Sequence, residues 1–108
     1  MSDSSPAAAA GAPIRSTFAD DSDFAELIEL FGETLPEKRE AVRALRREGS
    51  LEQLRVWAHQ LKGASGGYGF PGLSDAAAEL ELCCQLADAD RITQAVDRVV
   101  DLLNRIEI

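Results

Sequence analysis

Apolar positions recur at helical spacing in four stretches of this chain, separated by short polar or glycine-bearing breaks. Phe24, Leu27, Ile28 and Phe31 open the first stretch, and their three- and four-residue intervals predict one buried helical face. Asp20, Asp21, Ser22 and Asp23 precede it, supplying a cap and negative charge at a helix start near Ser22. Leu35, Val42 and Leu45 extend the stripe past Pro36. Proline interrupts the backbone ladder, so residues 22–48 predict either one kinked helix or two, ended by Gly49.

Ser50-Leu51-Glu52-Gln53 has capping-box form ahead of a stripe at Leu54, Trp57, Ala58, Leu61, Ser65 and Tyr68. Gly66, Gly67 and Gly69 loosen the end of that helix, and Phe70-Pro71-Gly72 predicts a turn. A further helix follows from about Pro71 to Ala87, with Leu73, Ala76, Ala77, Leu80, Cys83 and Cys84 on one side. Asp88 or Asp90 caps the last one, whose stripe is Ile92, Ala95, Val96, Val99, Leu102, Leu103 and Ile106. Amphipathic helices joined by such short connections favour antiparallel neighbours. The expected fold is all-α, an antiparallel up-down-up-down four-helix bundle over residues 18–108. Residues 1–17 are mostly Ser, Ala, Pro and Gly without apolar period, and predict a disordered N-terminal tail.

Charge and composition narrow the function. A net charge of −8 disfavours a nucleic-acid partner, because phosphate-backbone binding needs clustered cations. No stretch approaches the roughly 20 apolar residues of a membrane span, and the start lacks a basic leader; a cytoplasmic monomer without membrane contact is expected. Cys83 and Cys84 are adjacent and predict buried reduced thiols, and two cysteines with one histidine are too few for a zinc site without carboxylates, so no metal is expected.

The single histidine stands apart from the core. At about 100° per residue from Leu54, the apolar stripe stays within roughly 60°, whereas His59 falls at roughly 140°. Its neighbours on that face are Arg55 at i−4, Lys62 at i+3, Gly63 at i+4 and Gly66 two turns on. Glycine inside a helix costs about 1 kcal/mol relative to alanine. At Gly63 and Gly66 that cost is explained by steric clearance around the imidazole. Arg55 and Lys62 form a local positive field in an acidic chain, suited to neutralising an anion at His59. Val56 and Gln60 flank the histidine face and are candidates for docking a partner.

His59-Gln60-Leu61-Lys62-Gly63-Ala64-Ser65-Gly66-Gly67-Tyr68-Gly69 resembles the signature of histidine-containing phosphotransfer domains: histidine, any residue, an aliphatic, Lys-Gly, small residues, then a hydrophobic residue and glycine. The resemblance runs from about Asp23 to Ile108 and includes Leu35-Pro36, Gly49-Ser50-Leu51 and Leu80-Glu81. It implies a helical bundle that accepts a phosphoryl group on His59 from a receiver-domain aspartyl phosphate and relays it to another receiver domain. Lys62 then corresponds to the phosphate-neutralising lysine and Gly63 to the clearance glycine; the role for Arg55 rests on helix period alone. The implied partners are response-regulator receiver domains and a hybrid histidine kinase. No cofactor is expected on this chain, with Mg²⁺ carried by the receiver.

A neutral imidazole nitrogen is a competent nucleophile near neutral pH, and phosphoryl transfer is mainly positioning and charge stabilisation. The chain carries no Gly-rich nucleotide loop, and Gln60 follows His59 where histidine kinases usually have an acid, so a carrier rather than a kinase is expected. Two other functional classes fit the residues less well. A binding module that never phosphorylates His59 leaves the His59, Lys62 and Gly63 combination without a purpose. A metal-assisted enzyme using His59 with Glu79 or Glu81 is disfavoured because those carboxylates fall on another helix.

Overall fold

The computed structural model describes residues 12–108. Among these residues it contains five helices: α1 (Ala25–Glu33), α2 (Leu35–Glu48), α3 (Leu51–Gly67), α4 (Pro71–Leu86) and α5 (Ala89–Arg105). The fold is all-α with antiparallel neighbours, as expected. α3 packs on α4, α4 on α5, α5 on α2 and α2 back on α3, which closes a four-membered ring. Burial of one stripe per helix drives this closure, because each face is apolar only toward the axis. Leu54, Ala58, Leu61, Leu80, Val99, Leu103 and Val42 fill the centre. Trp57 and Tyr68 are half-buried at its margin.

The stretch around Pro36 forms two helices rather than one kinked one. Thr34 divides them, its amide and hydroxyl both donating to the Phe31 carbonyl at 3.0 and 2.7 Å. Pro36 then occupies the first turn of α2, where its missing N–H leaves no bond unmade. α1 closes one end of the ring: Phe31 packs against Tyr68 and Phe70, with ring centroids 5.0 and 5.2 Å apart. Gly49 ends α2 in the left-handed region at φ 70°, as its position predicts.

Two local cap expectations are corrected and a third is met. The aspartates before α1 do not cap it: the cap position is Phe24, and Asp21 instead accepts from the Asp23 amide in a turn of its own. Ser50 holds the cap position of α3 with extended backbone, but its hydroxyl makes no capping bond; the Ser50 carbonyl takes the Leu54 amide at 3.0 Å. Asp88 does cap α5, accepting from the Arg91 amide at 3.2 Å.

The expected disordered tail lies outside the described residues over 1–11, but residues 12–17 are a fixed strap. Ile14 bridges Ile106, donating to the Arg105 carbonyl and accepting from the Glu107 amide, both at 2.8 Å. Ser16 is buried, donates to the Tyr68 carbonyl at 2.6 Å and accepts the Phe18 amide at 3.0 Å. The strap escapes a periodicity reading because main-chain bonds, rather than an amphipathic face, repay its ordering. It also explains Gly69, at φ 86°, where a Cβ would run into Ser16 and Phe18.

Candidate functional site

α3 and α4 run antiparallel from the turn at Phe70, so residues equidistant from that turn face one another. Gly66 lies opposite Ser74, whose hydroxyl donates to the Lys62 carbonyl at 2.9 Å. One further span along the same register, His59 lies opposite Glu81. Nδ1 of His59 is 3.0 Å from Oε2 of Glu81, and Nζ of Lys62 is 3.1 Å from Oε1 of the same carboxylate. Glu81 therefore bridges the histidine and the lysine.

The three groups differ in exposure, with Lys62 between the other two. The His59 side chain is 62% exposed, whereas Glu81 is 13% exposed and held between the helices. Lys62 donates to the Glu81 carboxyl and, as the main cause, lowers its pKa; His59 adds to this and burial opposes it. An ionised carboxylate can only accept, so the proton of a neutral His59 sits on Nδ1 and the lone pair on Nε2. In that tautomer Nε2 is the ring nitrogen that Glu81 does not engage.

Gly63 has open space where a Cβ would stand, with no atom within 4 Å. Helix packing gives no reason for the glycine. Gly66 is exposed as well, but a Cβ there would make ordinary contact with Ser74 Oγ at 3.6 Å, so it borders α4. Arg55 donates through Nε to Glu52 at 3.1 Å and through Nη2 to the same carboxylate, so its charge is engaged one turn from His59. Val56 and Gln60 are exposed. Gln60 borders a small groove with Lys38, Trp57 and Ala64, between α2 and α3.

The family model of the Hpt domain matches residues 26–107, nearly the whole chain and all five helices except the first residue of α1. This chain belongs to the Hpt domain family. Searches of curated proteins and of solved structures returned no match. An Hpt domain is a phosphoryl carrier rather than a kinase, and Hpt domains interact with receiver domains. No described helix of this Hpt domain is long and apolar enough to cross a membrane.

Glu81 is the residue that site analysis of the sequence missed. The sequence places it in the Leu80-Glu81 stretch of the resemblance and among candidate metal ligands, disfavoured for lying on another helix, but gives it no role beside His59; antiparallel pairing makes that helix the neighbour of His59. Among the described residues no three His, Cys, Asp or Glu side chains gather in a metal-binding group. Cys83 and Cys84 are free and buried in this Hpt domain, and burial is the main cause that pushes both thiols up in pKa.

Proposed function

We propose that His59 is the phosphoacceptor of this Hpt domain, taking a phosphoryl group from a receiver-domain aspartyl phosphate and relaying it to another receiver domain. The observation that carries this is the exposed imidazole whose Nδ1 is held by Glu81, which leaves Nε2 as the nitrogen available to a partner. The Nε2 lone pair attacks phosphorus in line with the acyl phosphate oxygen. The N–P bond forms as the P–O bond breaks, and the receiver's aspartate leaves as a carboxylate. Nε2 carries no proton in this tautomer, so the step needs no general base. Imidazolium character develops in the ring, and the Nδ1–H bond to Glu81 stabilises it. Transfer onward is the reverse step, with an aspartate of a second receiver as nucleophile.

Lys62 is the cation nearest the transferred group. Its reach to Glu81 keeps the ammonium beside His59 before phosphate arrives. Arg55 adds to the field only as far as its guanidinium leaves Glu52. Gly63 provides clearance for the receiver, Gly66 extends that cleared strip toward α4, and Val56 and Gln60 contact the receiver at its edge. The receiver brings the Mg²⁺; the donor is the receiver of a hybrid histidine kinase, and the exchange takes place in the cytoplasm.

The test is incubation with a receiver domain phosphorylated on its aspartate. The expected product carries acid-labile, alkali-stable phosphate on this chain, and none on His59→Gln. Labelling that persists in the variant assigns the phosphate elsewhere, and a domain that binds the receiver without ever becoming labelled is a docking module.

A further inference from the structure

We propose that the groove between α2 and α5 is a second docking surface, one that takes an acidic amphipathic segment of a protein partner. Five of the eleven Lys and Arg residues of this acidic chain lie on α2: Lys38, Arg39, Arg43, Arg46 and Arg47. Arg43, Arg46 and Arg47 line a groove of 480 Å³ whose other wall is Val96, Asp97 and Val100 of α5.

Most cations elsewhere are matched: Arg55 by Glu52, Lys62 by Glu81, Arg91 by Glu79 and Arg105 by Asp101. In the groove the matching is incomplete. Arg47 meets Glu40 at 3.6 Å with both side chains about two-thirds exposed, and Arg46 donates to the neutral hydroxyl of Thr93. Arg43 enters no ion pair among the described residues. Arg39, Arg43 and Arg47 follow at four-residue intervals, so they repel one another along one helix face. The helix dipole accounts for Arg46 and Arg47 in the last turn. It does not account for Arg39 and Arg43.

The groove's cations are all arginines, whose planar fork matches a carboxylate bidentately. Val96 and Val100, one turn apart on α5, provide an apolar floor between the charges. Carboxylates at the rim with aliphatic side chains at helical spacing complement that surface. A dense polyanion fits less well, because Asp97 lines the groove and the chain carries a net charge of −8. In the ring of helices the α5–α2 seam is opposite the α3–α4 seam that carries His59. A partner seated there leaves His59 free for receivers.

The experiment titrates the full chain with a synthetic amphipathic peptide of about 20 residues, Glu on one face and Leu at i, i+3 and i+4 spacing on the other. Backbone amide shifts report the site and fluorescence anisotropy the affinity. Expected are salt-sensitive binding, shifts centred on Arg43, Arg46, Val96 and Val100 with His59 unmoved, and at least tenfold weaker binding by Arg43→Glu/Arg47→Glu. That variant retains its helical circular dichroism and its phosphotransfer to His59. Absence of binding, binding undiminished in the folded variant, or shifts centred on His59 each overturn the proposal. Binding of phosphatidylglycerol vesicles without binding of the peptide overturns it in favour of a lipid surface.

Discussion

His59 and Glu81 stand 3.0 Å apart, Nδ1 to Oε2, although they lie on different helices and a turn separates them in the chain. The carboxylate fixes which ring nitrogen carries the proton and which is free to react. Glu81 thus acts through His59, as a positioning residue. Glu81→Gln is expected to slow phosphorylation of His59 by about tenfold, the low end of the loss when a carboxylate that orients a metal-bound histidine is removed. Single-turnover transfer gives the rate, and imidazole ¹⁵N shifts should show a raised population of the tautomer with the proton on Nε2. An unchanged rate with unchanged shifts would remove the role.

The same bridge makes a pH prediction. Lys62 is the main cause that holds the Glu81 carboxyl below its ordinary value of 4.5. A group whose pKa is lower folded than unfolded stabilises the fold above the unfolded value, and loses that contribution as pH falls through the folded value. The Tm advantage of the natural protein over Glu81→Gln should therefore be full at neutral pH and shrink below pH 4.5. An advantage independent of pH would show that packing, not charge, is the source.

Lys62→Ala should separate transfer from stability. The side chain is partly exposed and its ion pair is worth less than about 1 kcal/mol, so the Tm should move by only a few degrees. The transfer rate should fall by about tenfold, because one charge-assisted contact to the phosphoryl group is lost. Stopped-flow transfer beside a thermal melt distinguishes the two effects.

Gly63→Leu should do the opposite to each quantity. Nothing lies within 4 Å of the added Cβ, and the position is exposed, so the side chain is expected to extend into solvent. Helix propensity then gains up to about 1 kcal/mol, enough to raise Tm by a few degrees. Leucine beside His59 should nevertheless reduce transfer from a phosphorylated receiver by at least about 100-fold, through misplaced reactants. A stabilised variant with normal transfer would refute the clearance argument.

The strap can be tested away from the site. Ser16→Ala leaves the Phe18 amide without its acceptor and the Tyr68 carbonyl without its donor, at a cost of about 1–3 kcal/mol. Gly69→Ala forces a left-handed φ onto alanine and drives a Cβ into the strap, with a cost of similar size, about 2 kcal/mol. Urea titration of both variants should show a lower midpoint; midpoints equal to the parent's would mean that residues 12–17 do not hold the end of the bundle.

Hydrophobic period alone determined the helical stretches, the buried stripes apart from Leu27, which stays exposed on α1, and the displacement of His59 from the core face, because each is a property of neighbours along one helix. The Gly63 and Lys62 spacing was legible for the same reason. Three features depended on contacts between segments. The break at Thr34, rather than a kink at Pro36, was settled where Phe31 docks on Tyr68 and Phe70. The strap of residues 12–17 has no period, and its bonds run to Tyr68, Gly69 and Arg105 far along the chain. Glu81 reaches His59 only through the pairing of α3 with α4, although the turn at Phe70 already implied that register. Local sequence determined which side chains share a face; tertiary packing decided which faces meet, and so which proton, charge and lone pair His59 presents.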